Sequence, residues 1–375
     1  MAYIPNFDEN DVVITLGIFG VQHDGVTDFK KSVINSLWGL LHKSADRVEY
    51  LQNEQQGQVD RMGRNCTTTF LAYWGDCREY QIWNESKEFQ NLWNSLPDDA
   101  GVWREVLTVP KSRFTGSMSV DTPWGLNAVV GTKPTLDIGY WGVFRKRMSE
   151  VTDKHTVLGD TFTSKYVTQH AKSRAGEGKK IVDLEIPPSS AIRLGRLKVS
   201  RVPDNLFFLH EGQRKLKRAD GVIGSWMDRV QPLFESFKQH LIKERNKNGV
   251  VAYEAYIARK NSSSALDKSR LTNQVIGIDP TVNIEELEAD RIIETNQLIY
   301  WLDMAHFELS GRAFHNHVKL RKETTGLIAP GGEGYNDKNA SLYVEMCVLK
   351  SSDVEAEYIG CKEGTGLMMF ADMQF

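Results

Sequence analysis

Cysteine is scarce. Only Cys66, Cys77, Cys347 and Cys361 occur in 375 residues, and none forms a C-x-x-C pair. That scarcity excludes a disulfide scaffold and fits a reduced, intracellular protein with half-buried thiols. No run approaches ~18 uninterrupted apolar residues, so no membrane span is expected. The opening MAYIPNFDENDVV lacks a basic segment followed by an apolar one, so no secretory signal is expected either. Neither charge sign dominates: 46 Lys and Arg stand against 49 Asp and Glu, a formal charge of -3. Such a balance gives no global attraction to nucleic acid or to acidic membranes. There is no P-loop, G-x-G-x-x-G, H-E-x-x-H or G-x-S-x-G motif in a usable context, and the glycine-rich Gly331-Gly332-Glu333-Gly334 lacks the Lys-Ser/Thr of a phosphate loop.

What is abundant is apolar and aromatic material. Hydrophobic residues make up 41% of the chain, with nine Trp and nine His. This is the composition of a globular, cytoplasmic protein. The length suits two domains, or one built from two similar halves.

The pattern along the chain favours the second. An apolar, β-branched run at Val12–Gln22 predicts a strand. A helix follows from Asp28, with Val33, Ile34, Leu37, Leu40 and Leu41 on one face. A polar loop over Asn53–Arg64 leads to a strand at Thr67–Trp74. Asp76 is placed to cap a helix carrying Tyr80, Trp83, Phe89, Leu92 and Trp93. Strands are expected at Trp103–Val109 and Gly139–Phe144. A polar stretch, Ser149–Gly178, reads as a linker within about 150–194.

A second set runs through strands Leu197–Val202 and Leu206–Leu209, a helix over Ser225–Glu244 and a strand at Val250–Ala258. Next come a Ser-rich stretch at Asn261–Lys268 and an acidic one at Asn283–Asp290, read together as an insertion over about 261–295. A helix at Tyr300–Phe314 and a strand at Ser341–Leu349 close the set. The fold class is therefore α+β, with ferredoxin-like halves over about 12–150 and 195–350 in one domain.

Three clusters could carry chemistry. His315-Asn316-His317 lies where a helix ends. It can serve as a dipole contact, a chance pair, or the single imidazole that a haem iron needs. His23, His42, His155, His170 and His240 sit singly in turns or polar faces and read as surface or structural. His306 is left open. Gly139-Tyr140-Trp141-Gly142-Val143-Phe144-Arg145-Lys146-Arg147 joins glycines and aromatics to cations, suited to a flat ligand and a polar group beside it, or to a strand leaving the core. In Pro203–Gln213 an aromatic strand ends in His210-Glu211-Gly212-Gln213. There Glu211 is either a carboxyl with a raised pKa or a strand-end residue reaching water.

As a set, Gly17–Gln22, Phe70–Trp74, Gly139–Arg147, Asp204–Gln213, His315–His317 and Leu342–Glu345 resemble, in order, the aldoxime dehydratases of the haem-containing dehydratase family. The resemblance spans about Val12 to Gly366, and GYWG-x-x-R-x-R is its most specific stretch. It implies a homodimeric, dimeric α+β-barrel type of fold that binds haem b (iron protoporphyrin IX). It implies that an aldoxime binds ferrous haem through nitrogen and loses water to give a nitrile. On it, His317 is the proximal iron ligand and Arg147 the pocket arginine.

Two positions depart from the family. A distal acid/base His would follow Leu342-Tyr343, but Val344 stands there and cannot transfer a proton. Tyr343 and Glu345 point to the other face by strand alternation. A substrate-contacting Ser is replaced by Glu211. The departures leave three readings: a dehydratase in which Glu211 supplies the proton, a haem enzyme for another N–O or N–N bonded substrate, or a non-catalytic haem-binding protein.

Overall fold

A computed structural model describes residues 2–7, 12–24, 27–53, 66–138, 142–150, 184, 191–216, 224–258, 292–335 and 340–371. The strands are β1 (Ala2–Pro5), β2 (Val13–His23), β3 (Arg47–Asn53), β4 (Cys66–Trp74), β5 (Val102–Pro110), β6 (Phe114–Met118) and β7 (Thr132–Thr135). They continue as β8 (Ile192–Val199), β9 (Leu206–Leu216), β10 (Val250–Ala258), β11 (Ile292–Trp301), β12 (Ser341–Leu349) and β13 (Val354–Lys362). The helices are α1 (Asp28–Ser44), α2 (Cys77–Asn84), α3 (Lys87–Ser95), α4 (Asn127–Val130) and α5 (Val143–Arg147). After a π-turn at Trp226–Val230 come α6 (Gln231–Lys243), α7 (Arg245–Asn248), α8 (Met304–Ala313) and α9 (His315–Ile328). Among the described residues no helix is long and apolar enough to cross a membrane.

The 13 strands make one sheet in the order β7-β1-β6-β12-β9-β11-β10-β3-β4-β2-β5-β13-β8. Every described pairing is antiparallel. Two blocks share one topology. In each, strand, helix, strand, strand, helices and strand follow in sequence, and the spatial order is fourth, first, third, second: β5-β2-β4-β3 and β12-β9-β11-β10. The blocks meet where β3 pairs with β10. The chain then crosses between them. A 3-10 turn at Lys111–Arg113 carries β5 into β6, which lies beside β12; a matching turn at Ser351–Asp353 carries β12 into β13, which lies beside β5.

Strand alternation sends successive side chains to opposite faces. One face of both blocks feeds a shared core, where Ile14, Leu16, Ile18 and Leu71 meet Leu206, Phe208, Leu298 and Tyr300. The other face of the first block packs against α1, α2 and α3 through Phe19, Trp38, Phe70, Trp83, Phe89 and Trp93. The corresponding face of the second block looks toward α6, α8 and α9, with Phe207, Leu209, Ile299 and Trp301 among its packed residues.

Two carboxylates lie inside the shared core at matching places. Glu105 on β5 accepts from Tyr300 Oη at 2.8 Å, from the Tyr358 hydroxyl and from Leu367 N at 2.9 Å. Glu345 on β12 accepts from the Tyr73 hydroxyl and from Leu126 N at 3.0 Å, and meets His210 Nδ1 at 3.1 Å. Burial raises the Glu105 carboxyl above its ordinary range, against the pull of its three donors. Strand pairing shows the match: Ile18 on β2 lies opposite Glu105, and His210 on β9 opposite Glu345.

Several expected elements differ in the structure. The expected strand at Gly139–Phe144 is helical in its described part, because Gly142 at φ 89° breaks extension and opens α5. The helix expected over Tyr300–Phe314 starts only at Met304. Tyr300 and Trp301 end β11, and Asp303 caps the helix by accepting from His306 N at 2.8 Å. β11 also takes in residues 292–295, which the expected insertion had included. The helix expected to carry Tyr80 through Trp93 is two, since Ser86 caps a fresh start by accepting from Phe89 N. The strand expected at Leu197–Val202 ends at Val199 and lies at the sheet edge, and β9 runs on to Leu216. His23 is buried against Thr68 rather than on a polar face, and Cys347 and Cys361 are fully buried. His155, His170, most of the 150–194 stretch, Asn261–Lys268 and Asn283–Asp290 lie outside the described residues.

Candidate functional site

The open space of the second block is a cavity of about 300 Å³ between the outer sheet face and α5, α6, α8 and α9. Its sheet wall follows from cross-strand pairing. Ser117 is opposite Val344, Val344 opposite Glu211, Glu211 opposite Gln297 and Gln297 opposite Ala255. Of this row, Ser117, Val344, Glu211 and Gln297 line the cavity, as do Leu209, Ile299 and Met346 one step along the same face and Trp301 two steps along it. Tyr343 and Glu345 face the other side, as alternation requires: Glu345 is held by Tyr73 and His210, and Tyr343 packs on Trp124 with ring centroids 3.5 Å apart and planes tilted by 37°.

The helix wall carries His317. It stands at the third residue of α9, just after Phe314 breaks the run from α8. The His-Asn-His cluster therefore opens a helix as well as following one. His317 Nδ1 is 2.9 Å from the carbonyl oxygen of Gly311, in the last turn of α8. A carbonyl can only accept, so Nδ1 carries the proton and Nε2 the basic lone pair. Burial lowers the imidazole pKa to about 4, and the ring packs on Phe237 at 4.3 Å, so it is neutral at pH 7. A backbone carbonyl orienting the distal ring nitrogen is the usual support for a metal-binding histidine. His315 is exposed and does not line the cavity.

The three cations after GYWG separate. Arg145 is buried in a two-pronged pair with Glu308, at 3.2 Å from Nε and 3.1 Å from Nη2, and ties α5 to α8. Lys146 is exposed near Asp137. Arg147 lines the cavity; its guanidinium donates to the carbonyl oxygens of Gly116, at 3.1 Å, and Asp137, and lies over the Phe144 ring. Residues 139–141 of the motif lie outside the described residues.

Glu211 lines the same cavity. Gln213 Nε2 donates to its Oε1 at 3.1 Å, and burial raises its pKa despite that bond, which holds the group toward its protonated form. The structure thus brings His317, Arg147, Glu211 and Val344 to one cavity. It adds residues that the sequence reading passed over. Ser117 and Gln297 stand beside Val344 and Glu211, and Gln297 accepts from the Tyr253 hydroxyl. Both lie on strands not expected from the sequence. Lys238 and Arg321 are cations on the helix wall, and Arg321 was visible as the residue four after His317.

The donor set suits haem better than a bare metal ion. Among the described residues no three His, Cys, Asp or Glu side chains gather to hold an ion. A porphyrin brings four nitrogens of its own and asks the protein for one axial imidazole and an apolar, aromatic chamber. His317 with Phe144, Phe234, Phe237, Phe307 and Trp301 supplies both.

Residues 17–367 match the haem-containing dehydratase family, and the chain belongs to it. It is a haem-dependent lyase. Among its relatives is the phenylacetaldoxime dehydratase of Bacillus sp. (strain OxB-1), 25% identical over 312 residues that cover 81% of this chain and 74% of that protein. A crystal structure of an aldoxime dehydratase with butyraldoxime shares the fold at a TM-score of 0.68 and 16% identity, covering 98% of this chain and 88% of that one. A second aldoxime dehydratase structure gives 0.66 and 17%, covering 98% and 90%.

Proposed function

We propose that the chain dehydrates an aldoxime to a nitrile, and that His317 would hold haem b, used in its ferrous state. The observation that carries this reading is the convergence of His317, Arg147 and Glu211 on one apolar cavity. When bound, ferrous haem would supply the iron that attracts the aldoxime nitrogen and the electron density for breaking the N–O bond. Arg147, steadied by two backbone carbonyls, hydrogen-bonds the departing hydroxyl without giving up a proton. Glu211 gives its proton to that hydroxyl, which leaves as water. The resulting carboxylate takes the proton from the aldoxime carbon, which restores the acid and completes the nitrile. Val344 leaves the neighbouring place on the wall apolar, and Phe144, Phe307 and Trp301 hold an aliphatic or arylaliphatic tail.

The test is nitrile formation by dithionite-reduced protein from phenylacetaldoxime and butyraldoxime. Glu211→Gln should lower turnover by ~10²–10⁴-fold, the usual worth of general acid–base help. Unchanged turnover would remove Glu211 from the mechanism. His317→Ala should abolish the Soret band of the reconstituted protein, and its retention would move the ligand elsewhere. Val344 itself favours a second reading, a haem enzyme for another N–O or N–N bonded substrate. Tight haem binding without nitrile supports that reading, and Val344→His gaining nitrile-forming activity locates what changed.

The fourth-first-third-second order of both blocks supports two ferredoxin-like halves in one domain of the dimeric α+β-barrel kind. Homodimerisation is supported by the edge strand β8, where Ile192 is 51% and Leu194 72% exposed. A cytoplasmic location is supported by four free cysteines.

A further inference from the structure

The cavity is lined by more charged side chains than the dehydration chemistry uses. Five charged residues line it: Arg147, Lys238, Arg321, Glu211 and Glu308. Arg147 is engaged by the Gly116 and Asp137 carbonyls, and Glu308 is engaged by Arg145. Glu211 belongs to the sheet wall. Lys238 on α6 and Arg321 on α9 are cations of the helix wall to which the dehydration chemistry gives no role.

Their placement follows from the helix. Arg321 is four residues after His317, so it shares a face with the imidazole one turn, about 6 Å, farther along. Thr325 and Ala329 continue the stripe. The same three residues, Arg321, Thr325 and Ala329, also line an outer groove of about 700 Å³, with Arg229, Lys322 and Pro330 to Gly332. Arg321 therefore stands between an apolar chamber and a cationic groove. Arg229 is already paired with Glu323 there at 2.6 Å. Lys238 has Glu235 at 3.9 Å, at the limit of ion-pair range. Burial, with Arg312 nearby, lowers the pKa of Arg321, so an anion beside it would be favoured electrostatically.

An occupant that satisfies this arrangement has a flat apolar body, a metal one turn away from its anionic edge, and carboxylates on that edge alone. We propose that Arg321, assisted by Lys238, binds the propionate carboxylates of the haem and so orients the porphyrin with that edge toward the outer groove. The inference rests on the haem reading of His317. Planar guanidinium is the side chain suited to forked recognition of carboxylate, and the charge-assisted bonds would form in a partly desolvated setting.

The test uses the full-length apoprotein and Soret titration with two porphyrins, haemin and haemin dimethyl ester, whose edge carries no charge. Arg321→Gln should weaken haemin binding by about tenfold, equivalent to about 1.4 kcal/mol. Adding Lys238→Gln should weaken it further. The dimethyl ester should bind wild type and variants alike, and Arg321→Lys should recover part of the haemin affinity. Equal haemin affinity in wild type and Arg321→Gln overturns the proposal. So does an equal loss for both porphyrins, which would mark a purely structural role. Failure of wild type to take up either porphyrin overturns the haem reading, and the proposal falls with it. Uptake of haemin by wild type with no effect of Arg321→Gln overturns the anchor alone.

Discussion

On the helix side of the first block, a row of paired residues reads Glu357, Arg104, Phe19, Phe70, Tyr50. At the same register in the second block it reads Ser117, Val344, Glu211, Gln297, Ala255. The first row is closed over. Phe19 meets Trp83 and Phe89 edge-on at 5.5 and 6.3 Å, and Trp83 packs on Phe89 at 4.2 Å. Arg104 pairs with Glu357 at 3.3 Å and lies over the Trp93 ring. The second row looks into the cavity. Trp74 and Trp301, at matching places on β4 and β11, show the contrast in one residue type: the first is sealed against Tyr80 and Trp83, and the second is cavity wall. One backbone plan thus serves two ends. Where aromatics fill the space beneath the helices, each contributes roughly 1.5–3 kcal/mol to stability. Where the row is small or polar, the same space is left for a ligand and its chemistry.

The largest test of that contrast is Glu211→Phe, which copies Phe19 into the open block. It should fill the cavity and reduce haemin affinity by more than ~100-fold by Soret titration, with far-UV circular dichroism unchanged. Full haem uptake would place the cofactor elsewhere. Next, Phe89→Ala in the closed block should cost about 3–5 kcal/mol by urea denaturation. Val344→Ala should cost about 1 kcal/mol or less, because that side chain already borders open space. Equal costs would mean that the two blocks are packed alike.

The smallest effect is a pH dependence. Burial raises the folded-state pKa of Glu211 above its ordinary value, so below pH ~4.5 folded and unfolded forms are both protonated. As pH rises from there through the raised pKa, the unfolded state loses its proton first and stability falls. Glu211→Gln does not titrate. Its urea midpoint relative to wild type should therefore rise with pH across that window, in apoprotein without ligand. A constant difference would show that Glu211 is not held toward its acid form.

Much of the frame is legible from the sequence where elements are apolar and β-branched. Val250–Ala258 and Ser341–Leu349 coincide with β10 and β12 at both ends. The strands that escape reading carry buried ion pairs. β3 reads RVEYLQN, and its Arg47 and Glu49 look like solvated charges until they are seen paired at 2.9 Å inside the protein. β13 hides Glu357 in the same way, between Arg104 and Arg196. β6 is only five residues long and carries a glycine. Local pattern cannot report that it pairs with a strand more than 200 residues later. At the site, His317 and Arg147 were picked out by resemblance to a family, since local spacing left both open. The neighbours Ser117 and Gln297 could not be placed because the strands that hold them were unread, and Arg321 needed only helical spacing.

The exchange of β6 and β13 has a consequence for how the chain is made. When residues 1–335 have left the ribosome, β6 still lacks its neighbour β12, and the cavity still lacks Leu342, Val344 and Met346. The first block likewise lacks β13, which covers β5. Both blocks are completed by the same late segment, 340–371. Such long-range pairings slow folding and keep sheet edges open meanwhile. Neither block can close, and the cofactor cannot be enclosed, before segment 340–371 has joined the sheet.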